Sequence, residues 1–310
     1  MTIRVIDAGE VAARLTYDIA VPLMRDAMIA LSAGATKQLL RGIIDLNGED
    51  AFGVMPGALD SGGFGAKLVS VFPGNVARGG MAHQGLVVMF DPGTGAPAAV
   101  VDAGELTAIR TAAASAAATI ALARPEADHL AILGTGEQAR RHIDAIRATR
   151  TVRRLTIWGR DSKRAAKLAE ETGGEASFSV REAVADADII CTVTAAADPI
   201  LSAMDVRPGT HINAVGSSRA GPAEIANDLV IHARFFADHR AGVLAQGAEF
   251  LRAKAAGLID DAHVLGEIGE VFAGTLAGRI SSDDVTIYKS LGSIVQDLAC
   301  AKWLCRVNNE

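Results

Sequence analysis

Leu130-Ala131-Ile132-Leu133-Gly134-Thr135-Gly136-Glu137-Gln138-Ala139 is an apolar run that breaks at two glycines and resumes as a helix-forming stretch. The run predicts a buried strand, and residues 137–147 predict a helix. The turn between them has the spacing G-x-G-x-x-A. Gly134 permits the tight turn, Gly136 lets the backbone approach a pyrophosphate, and Ala139 lets the helix pack closely on the sheet. The free N–H groups of the helix N-terminus then face the phosphates. Such a match gains meaning from its strand–turn–helix context and from a second strand about 20 residues later. Gly134, Thr135, Gly136, Glu137, Gln138 and Ala139 are therefore the candidate dinucleotide turn. A plain strand–helix turn is the alternative.

Working outward, the same texture continues. Leu155–Trp158 predicts a strand, Lys163–Glu171 a helix, and Ile189–Val193, His211–Val215 and Val230–Phe236 are further apolar runs. The segment from Tyr288 onward predicts one more helix. Strand–helix alternation argues for a doubly wound parallel sheet. At the end of the second strand, Trp158-Gly159-Arg160-Asp161-Ser162-Lys163 has glycine where NAD-preferring folds carry an acid for the ribose hydroxyl. Arg160 and Lys163 close behind Gly159 suit a 2′-phosphate, while Asp161 argues the other way. The reading favours NADP(H) and leaves NAD(H) open.

Before residue 110 the texture differs. Residues 18–33 have helical apolar spacing, and Phe64–Phe72, Leu86–Phe90 and Ala98–Asp102 are rich in strand formers around the turn Asp91-Pro92-Gly93-Thr94-Gly95. This predicts an antiparallel meander with helices on one side. The fold class is α/β: a Rossmann-type doubly wound sheet plus a smaller α+β domain.

Composition narrows the function classes. The 310 residues are 50% hydrophobic and 21% charged, with net charge −6 and 4% aromatics. Disorder is excluded, and no run reaches the ~18 apolar residues of a membrane helix. An acidic, aromatic-poor chain is a poor candidate for nucleic acid. Three cysteines, Cys191, Cys300 and Cys305, make neither a disulfide framework nor a zinc site, so no metal is expected. The start has no apolar signal region, and the expected location is cytoplasmic.

Four polar residues of the first region stand out. Lys67 lies in FGAKLVSVF, apolar on both strand faces, and there needs an anion or water; snorkelling from an edge strand is the alternative. Arg110 is followed by two turns of small residues, which lets a ligand or backbone approach its guanidinium. A helix salt bridge is the plainer reading. Arg41 sits among apolar residues, and His83 precedes a strand, where it suits either a structural or a proton-handling role.

Together the segments Val54-Met55-Pro56-Gly57, Gly65-Ala66-Lys67, His83-Gln84-Gly85, Leu106–Ala113, Asn213-Ala214-Val215-Gly216 and Tyr288-Lys289-Ser290-Leu291-Gly292 resemble the ornithine cyclodeaminase/mu-crystallin family over nearly the whole chain. Arg110-Thr111-Ala112-Ala113 is the most diagnostic. The resemblance implies a substrate-binding and dimerising domain over 1–113, a Rossmann domain over 114–292, and a C-terminal helix over 293–310 that returns to the first domain. It implies that Arg41, Lys67 and Arg110 clamp a substrate carboxylate beside Met55. It also implies that Arg110, Thr111, Val193, Thr194, Val215 and Lys289-Ser290-Leu291 border the cofactor, and that the chain is a homodimer.

Two departures choose among subfamilies. Cyclodeaminases carry a Glu where this chain has Gly53, and an Asp where it has Ser218. A pocket without them lacks a partner for a side-chain amine and a carboxylate base. The chain thus resembles the ketimine and pyrroline-2-carboxylate reductase branch. The expected reaction is hydride transfer to the C=N of a small anionic 2-imino acid, with Lys67, His83 or Ser218 handling the nitrogen proton. The alternatives are an alanine- or opine-type amino-acid dehydrogenase, an ornithine cyclodeaminase, and a non-catalytic small-ligand binder like mu-crystallin.

Overall fold

The computed structural model describes residues 3–48 and 50–306. The chain divides into two compact units: residues 1–110 with 293–310, and residues 111–292. The division falls between Arg110 and Thr111, within the helix Ala103–Leu122, and not at the expected 113/114 boundary. No linker marks it, because the Ala-rich helix runs through without glycine or proline beyond its first turn. Residues 307–310 of the expected C-terminal segment lie outside the described residues.

The first unit is built on a seven-stranded sheet. Its strands are β1 (Arg4–Ile6), β2 (Thr36–Gln38), β3 (Gly42–Asp45), β4 (Ala51–Leu59), β5 (Phe64–Val71), β6 (His83–Phe90) and β7 (Pro97–Asp102). The order is β1-β7-β6-β5-β4-β2, with β3 also on β4. The run β4 to β7 is an antiparallel meander, and β1 joins β7 in parallel. The β6–β7 turn closes on Asp91, which accepts bonds from Gly93 N at 3.1 Å and from Thr94 N and Oγ1 at 2.8 Å. The C-terminal helix Ile294–Arg306 packs on β4, β5 and β6, and the helix Tyr17–Ser32 packs against it. Along β5, Gly65 and Lys67 are buried on one face, as a two-residue period requires. Lys67 pairs in register with Met55 of β4 and Val87 of β6.

The second unit holds eight parallel strands: β8 (His129–Leu133), β9 (Arg154–Trp158), β10 (Glu175–Ala176), β11 (Ile189–Thr192), β12 (His211–Ala214), β13 (Arg234–Ala237), β14 (Val264–Glu267) and β15 (Thr286–Lys289). Their order is β10-β9-β8-β11-β12-β15-β13-β14. Every residue of β8, β11, β12 and β15 is buried, the signature of strands covered on both faces. The order reverses between β8 and β11, and ligands of doubly wound sheets bind at that switch point.

Two expected elements are corrected here. The run Val230–Phe236 is not one strand: residues 227–232 form a helix whose Leu229 and Val230 face the core, and β13 starts at Arg234. A short apolar run does not by itself distinguish a buried helix from a strand. Nor is the segment from Tyr288 wholly helical. Tyr288 and Lys289 end β15, the last strand in the chain yet a central one in the sheet, and Gly292 (φ 82°) turns the backbone before the helix at Ile294.

The Ala-rich helix explains the excess of small residues locally. Ala112, Ala113, Ala114, Ala116, Ala117 and Ala118 are all buried. Two polar residues among them are satisfied: Ser115 Oγ meets His142 Nε2 at 2.9 Å, and Thr119 Oγ1 accepts from Asn213 Nδ2 at 2.9 Å.

Candidate functional site

In the second unit, β8 delivers Gly134 to the switch point. Its φ is 137°, and a Cβ there would lie 2.7 Å from Val193 O and 2.9 Å from Val193 Cγ2. Glycine is therefore required by both backbone conformation and packing. Gly136 is different. It is the N-cap of the helix Glu137–Thr149 with ordinary extended dihedrals, and a Cβ there would meet nothing within 4 Å. The protein's own packing does not ask for glycine at 136, so the small residue leaves room in front of the helix N-terminus. Ala139 is fully buried against the sheet. Ser290 Oγ is buried with no hydrogen-bond partner among the described residues. These features fit a dinucleotide.

Gly159, at the end of β9, faces Thr135: a Cβ there would come within 2.4 Å of Thr135 Cγ2. The missing acid is thus tied to the identity of the glycine-turn residue. Arg160 and Lys163 are exposed. Asp161 is engaged as the N-cap of the helix Ser162–Thr172, accepting from Lys163 N at 3.0 Å and Arg164 N at 3.2 Å.

Two buried carboxylates that the sequence did not signal organise the loops at this end of the sheet. Glu224 accepts from Thr192 Oγ1 (2.7 Å), Thr194 N (2.6 Å), Thr194 Oγ1 (2.7 Å) and Gly216 N (2.7 Å). It thereby ties the loop after β11, with Val193 and Thr194, to the loop after β12, with Val215 and Gly216. Burial pushes its carboxyl upward, against those hydrogen bonds. Asp238 accepts from Leu291 N at 2.7 Å and Gly292 N at 2.6 Å, and fixes the turn after β15; its carboxyl is also raised by burial. Lys289 is fully buried, paired with Glu249 at 2.8 Å and donating to Ser217 O at 2.7 Å. Its ammonium is engaged inside the unit. Ser218 is half-buried in the loop after β12, and Thr111 opens this unit nearly buried.

In the first unit, three elements bring polar groups together on the inner side of the sheet. Lys67 Nζ, from β5, donates to Thr107 Oγ1 at 2.5 Å and pairs with Asp297 Oδ1 at 3.4 Å. Arg110 Nε donates to the same Asp297 oxygen at 3.0 Å, and Arg110 Nη1 donates to Gln296 Oε1 at 2.7 Å. Lys67 and Arg110 are each 4% exposed and Asp297 is fully buried. Arg110 thus makes a salt bridge through Nε and a neutral hydrogen bond through Nη1, both to the C-terminal helix and not within its own helix, inside a cluster of cations. Burial pulls the Lys67 ammonium down to about 8; Asp297 opposes the fall, and Arg110 and Arg41 add to it. His83, exposed at the start of β6, is held below its usual value by desolvation and then by Lys67 and Arg41. Met55 is buried across from Lys67. Helical spacing places Asp297 with Ile294, Ala301 and Leu304 on the apolar face of its helix, but names no partner for it.

The comparisons agree with this architecture. The family model of the ornithine cyclodeaminase/mu-crystallin family matches residues 4–307. Ketimine reductase mu-crystallin of Mus musculus is 36% identical over 273 residues, 87% of this chain and 84% of its own. The solved Delta(1)-pyrroline-2-carboxylate reductase of Thermococcus litoralis, in complex with NADH and L-proline, superposes with a TM-score of 0.93 at 29% identity, covering 98% of this chain and 96% of that one. An archaeal alanine dehydrogenase dimer with bound NAD reaches 0.92 at 29% identity, covering 98% and 95%. The parallel sheet with its glycine turn, the cation cluster and these matches all lead to the same place: the chain belongs to the ornithine cyclodeaminase/mu-crystallin family.

Proposed function

We propose that this protein is a nicotinamide-dependent reductase of small 2-imino acids of the Δ1-pyrroline-2-carboxylate or ketimine type. The observation that carries the reading is the buried cluster of Lys67 and Arg110, with Arg41 in electrostatic reach. Three cations against one carboxylate, Asp297, leave a net positive site suited to a small carboxylate ligand. The relatives named as ketimine and pyrroline-2-carboxylate reductases support the reaction class. Gly53 and Ser218 support the reductase over the cyclodeaminase branch.

The bound dinucleotide supplies a hydride, and the protein supplies position and charge. Arg110, Arg41 and Lys67 hold the substrate carboxylate, which fixes the planar C=N by orientation. Gly134, Gly136 and the helix N-terminus at Glu137 hold the pyrophosphate, with Val193, Thr194, Val215 and the Ser290–Leu291 backbone alongside. Arg160 and Lys163, exposed behind the end of β9, favour NADP(H). The nitrogen proton comes from Lys67, His83 or Ser218.

Purified protein is expected to oxidise NADPH, and NADH more slowly, with Δ1-pyrroline-2-carboxylate. Failure to oxidise either cofactor with any cyclic or linear 2-imino acid overturns the reading. Faster turnover with pyruvate plus ammonia selects the alanine-dehydrogenase alternative. Ammonia release from ornithine without net cofactor oxidation selects the cyclodeaminase. Assembly as a homodimer through the first unit is part of the proposal. Leu39, Leu40, Ile43, Ile44 and Leu46 expose 72, 49, 44, 58 and 47% of their surface, an apolar stretch larger than scattered surface residues explain. Light scattering is expected to give twice the 32.0 kDa chain mass; a single chain mass removes the dimer.

A further inference from the structure

The reductase reading leaves the source of the nitrogen proton open, and the neighbours of Lys67 bear on it. Lys67 Nζ is faced by Thr107 and Arg110 from the helix Ala103–Leu122, by Asp297 from the C-terminal helix, by Arg41 ahead of β3, and by His83 on β6. Cys300, one helical turn from Asp297, is a thiol that burial, and then the Asp297 carboxylate, push up, so it stays neutral. The surroundings therefore hold two guanidinium groups and one carboxylate. A buried ammonium beside two cations tends to lose its proton. Asp297 is the group that opposes this, and one of its oxygens holds both Lys67 and Arg110. Its other oxygen is buried with no hydrogen-bond partner among the described residues.

We infer that Asp297 is a positioning residue of the reaction: through Oδ1 it fixes Arg110 for the substrate carboxylate and keeps Lys67 charged, so that Lys67 delivers the proton to the imine nitrogen. The inference rests on the reductase reading above. In the step, the imine carbon gains a hydride from the reduced nicotinamide. The C=N π pair moves to nitrogen, where an N–H bond forms as the Lys67 Nζ–H bond breaks. Lys67 is left neutral and takes its next proton from water. His83 is the weaker donor, because partial desolvation, and then Lys67 and Arg41, lower the affinity of its ring for a proton. A donor titrating at about 8 is matched to that pH range.

The test compares pH profiles of kcat/KM for wild type, D297N and D297E with the same imine, so that the substrate's own titration cancels. Asn keeps the size of Asp and can accept from Arg110 Nε. Removing the charge lowers the affinity of Lys67 for its proton, so the alkaline limb of D297N is expected to move down by about 1–3 pH units. D297E, which keeps the charge, is expected to return the limb to within about half a unit of wild type, at a lower plateau. A lower plateau with an unmoved limb in D297N means a merely structural role and overturns the proposal. Should D297N fail to fold, wild type decides the matter by competitive acetylation of Lys67 across pH, read by mass spectrometry. A midpoint near 8 supports the proposal. A midpoint at the ordinary lysine value of 10.5, or below about 6, overturns it. An inactive wild type sinks the reductase reading itself, a result distinct from either.

Discussion

Lys67 carries its charge where burial works against it. Its strand neighbours are apolar, its side chain is almost fully covered, and its ammonium is brought down to about 8. A group with that proton affinity changes charge within the range in which a reductase works. Replacing it by Ala removes both a carboxylate contact and the proposed proton. K67A is expected to lower kcat/KM for the imine at least about 100-fold, while NADH affinity by fluorescence titration stays within about twofold. Equal losses in both would show that the substitution damaged the fold. Lys67 was legible in the sequence, because a lysine amid strand-forming apolar residues is conspicuous. Asp297 was not: it is separated from Lys67 by 230 residues, and only the packing of the C-terminal helix on β5 makes them partners.

At the scale of elements, the parallel sheet presents its loops and buried carboxylates hold them in place. Glu224 accepts four hydrogen bonds with two oxygens. Gln at this position can offer one oxygen, and its amide N–H₂ then faces either the Thr194 or the Gly216 backbone N–H. E224Q is expected to cost about 2–4 kcal/mol in urea unfolding and to weaken dinucleotide binding together with it. Unchanged stability would show that other groups fix these loops. The glycine turn was legible because a short stretch of sequence contains the strand, the turn and the helix start. Glu224 lies in a segment, Ala220-Gly221-Pro222-Ala223-Glu224, with no periodicity to mark it. Asp238 follows the end of β13, a position where a surface acid is equally common. Their roles come from backbone N–H groups that only tertiary structure brings near.

For the whole molecule, pH dependence follows from histidines buried without charge. His142 is fully covered, bonded to Gln138 O at 2.7 Å and Ser115 Oγ at 2.9 Å, and burial lowers it to about 4. The unfolded chain binds that proton at about 6.5, so the stabilisation is present above about 6.5 and is lost as pH falls toward 4. The raised carboxyls of Glu224 and Asp238 act in the opposite direction, so the comparison must be with a variant that retains them. Between pH 7 and pH 5, wild type is expected to lose about 2 kcal/mol more than H142Q, measured by urea denaturation. Equal losses would mean that His142 is protonated in the folded state.

The sequence by itself determined the family, the doubly wound sheet, the glycine turn between strand and helix, and the strand carrying Lys67. Each of these rests on neighbours along the chain, where a period of 2 or 3.6 residues and the special freedom of glycine are readable. It did not determine that β15 enters the sheet between β12 and β13, that Lys289 is spent on Glu249, or that Asp297 sits against Lys67 and Arg110. Those facts depend on which residues share a low-dielectric interior after the chain has folded. A carboxylate or ammonium there acquires its properties from partners hundreds of positions away.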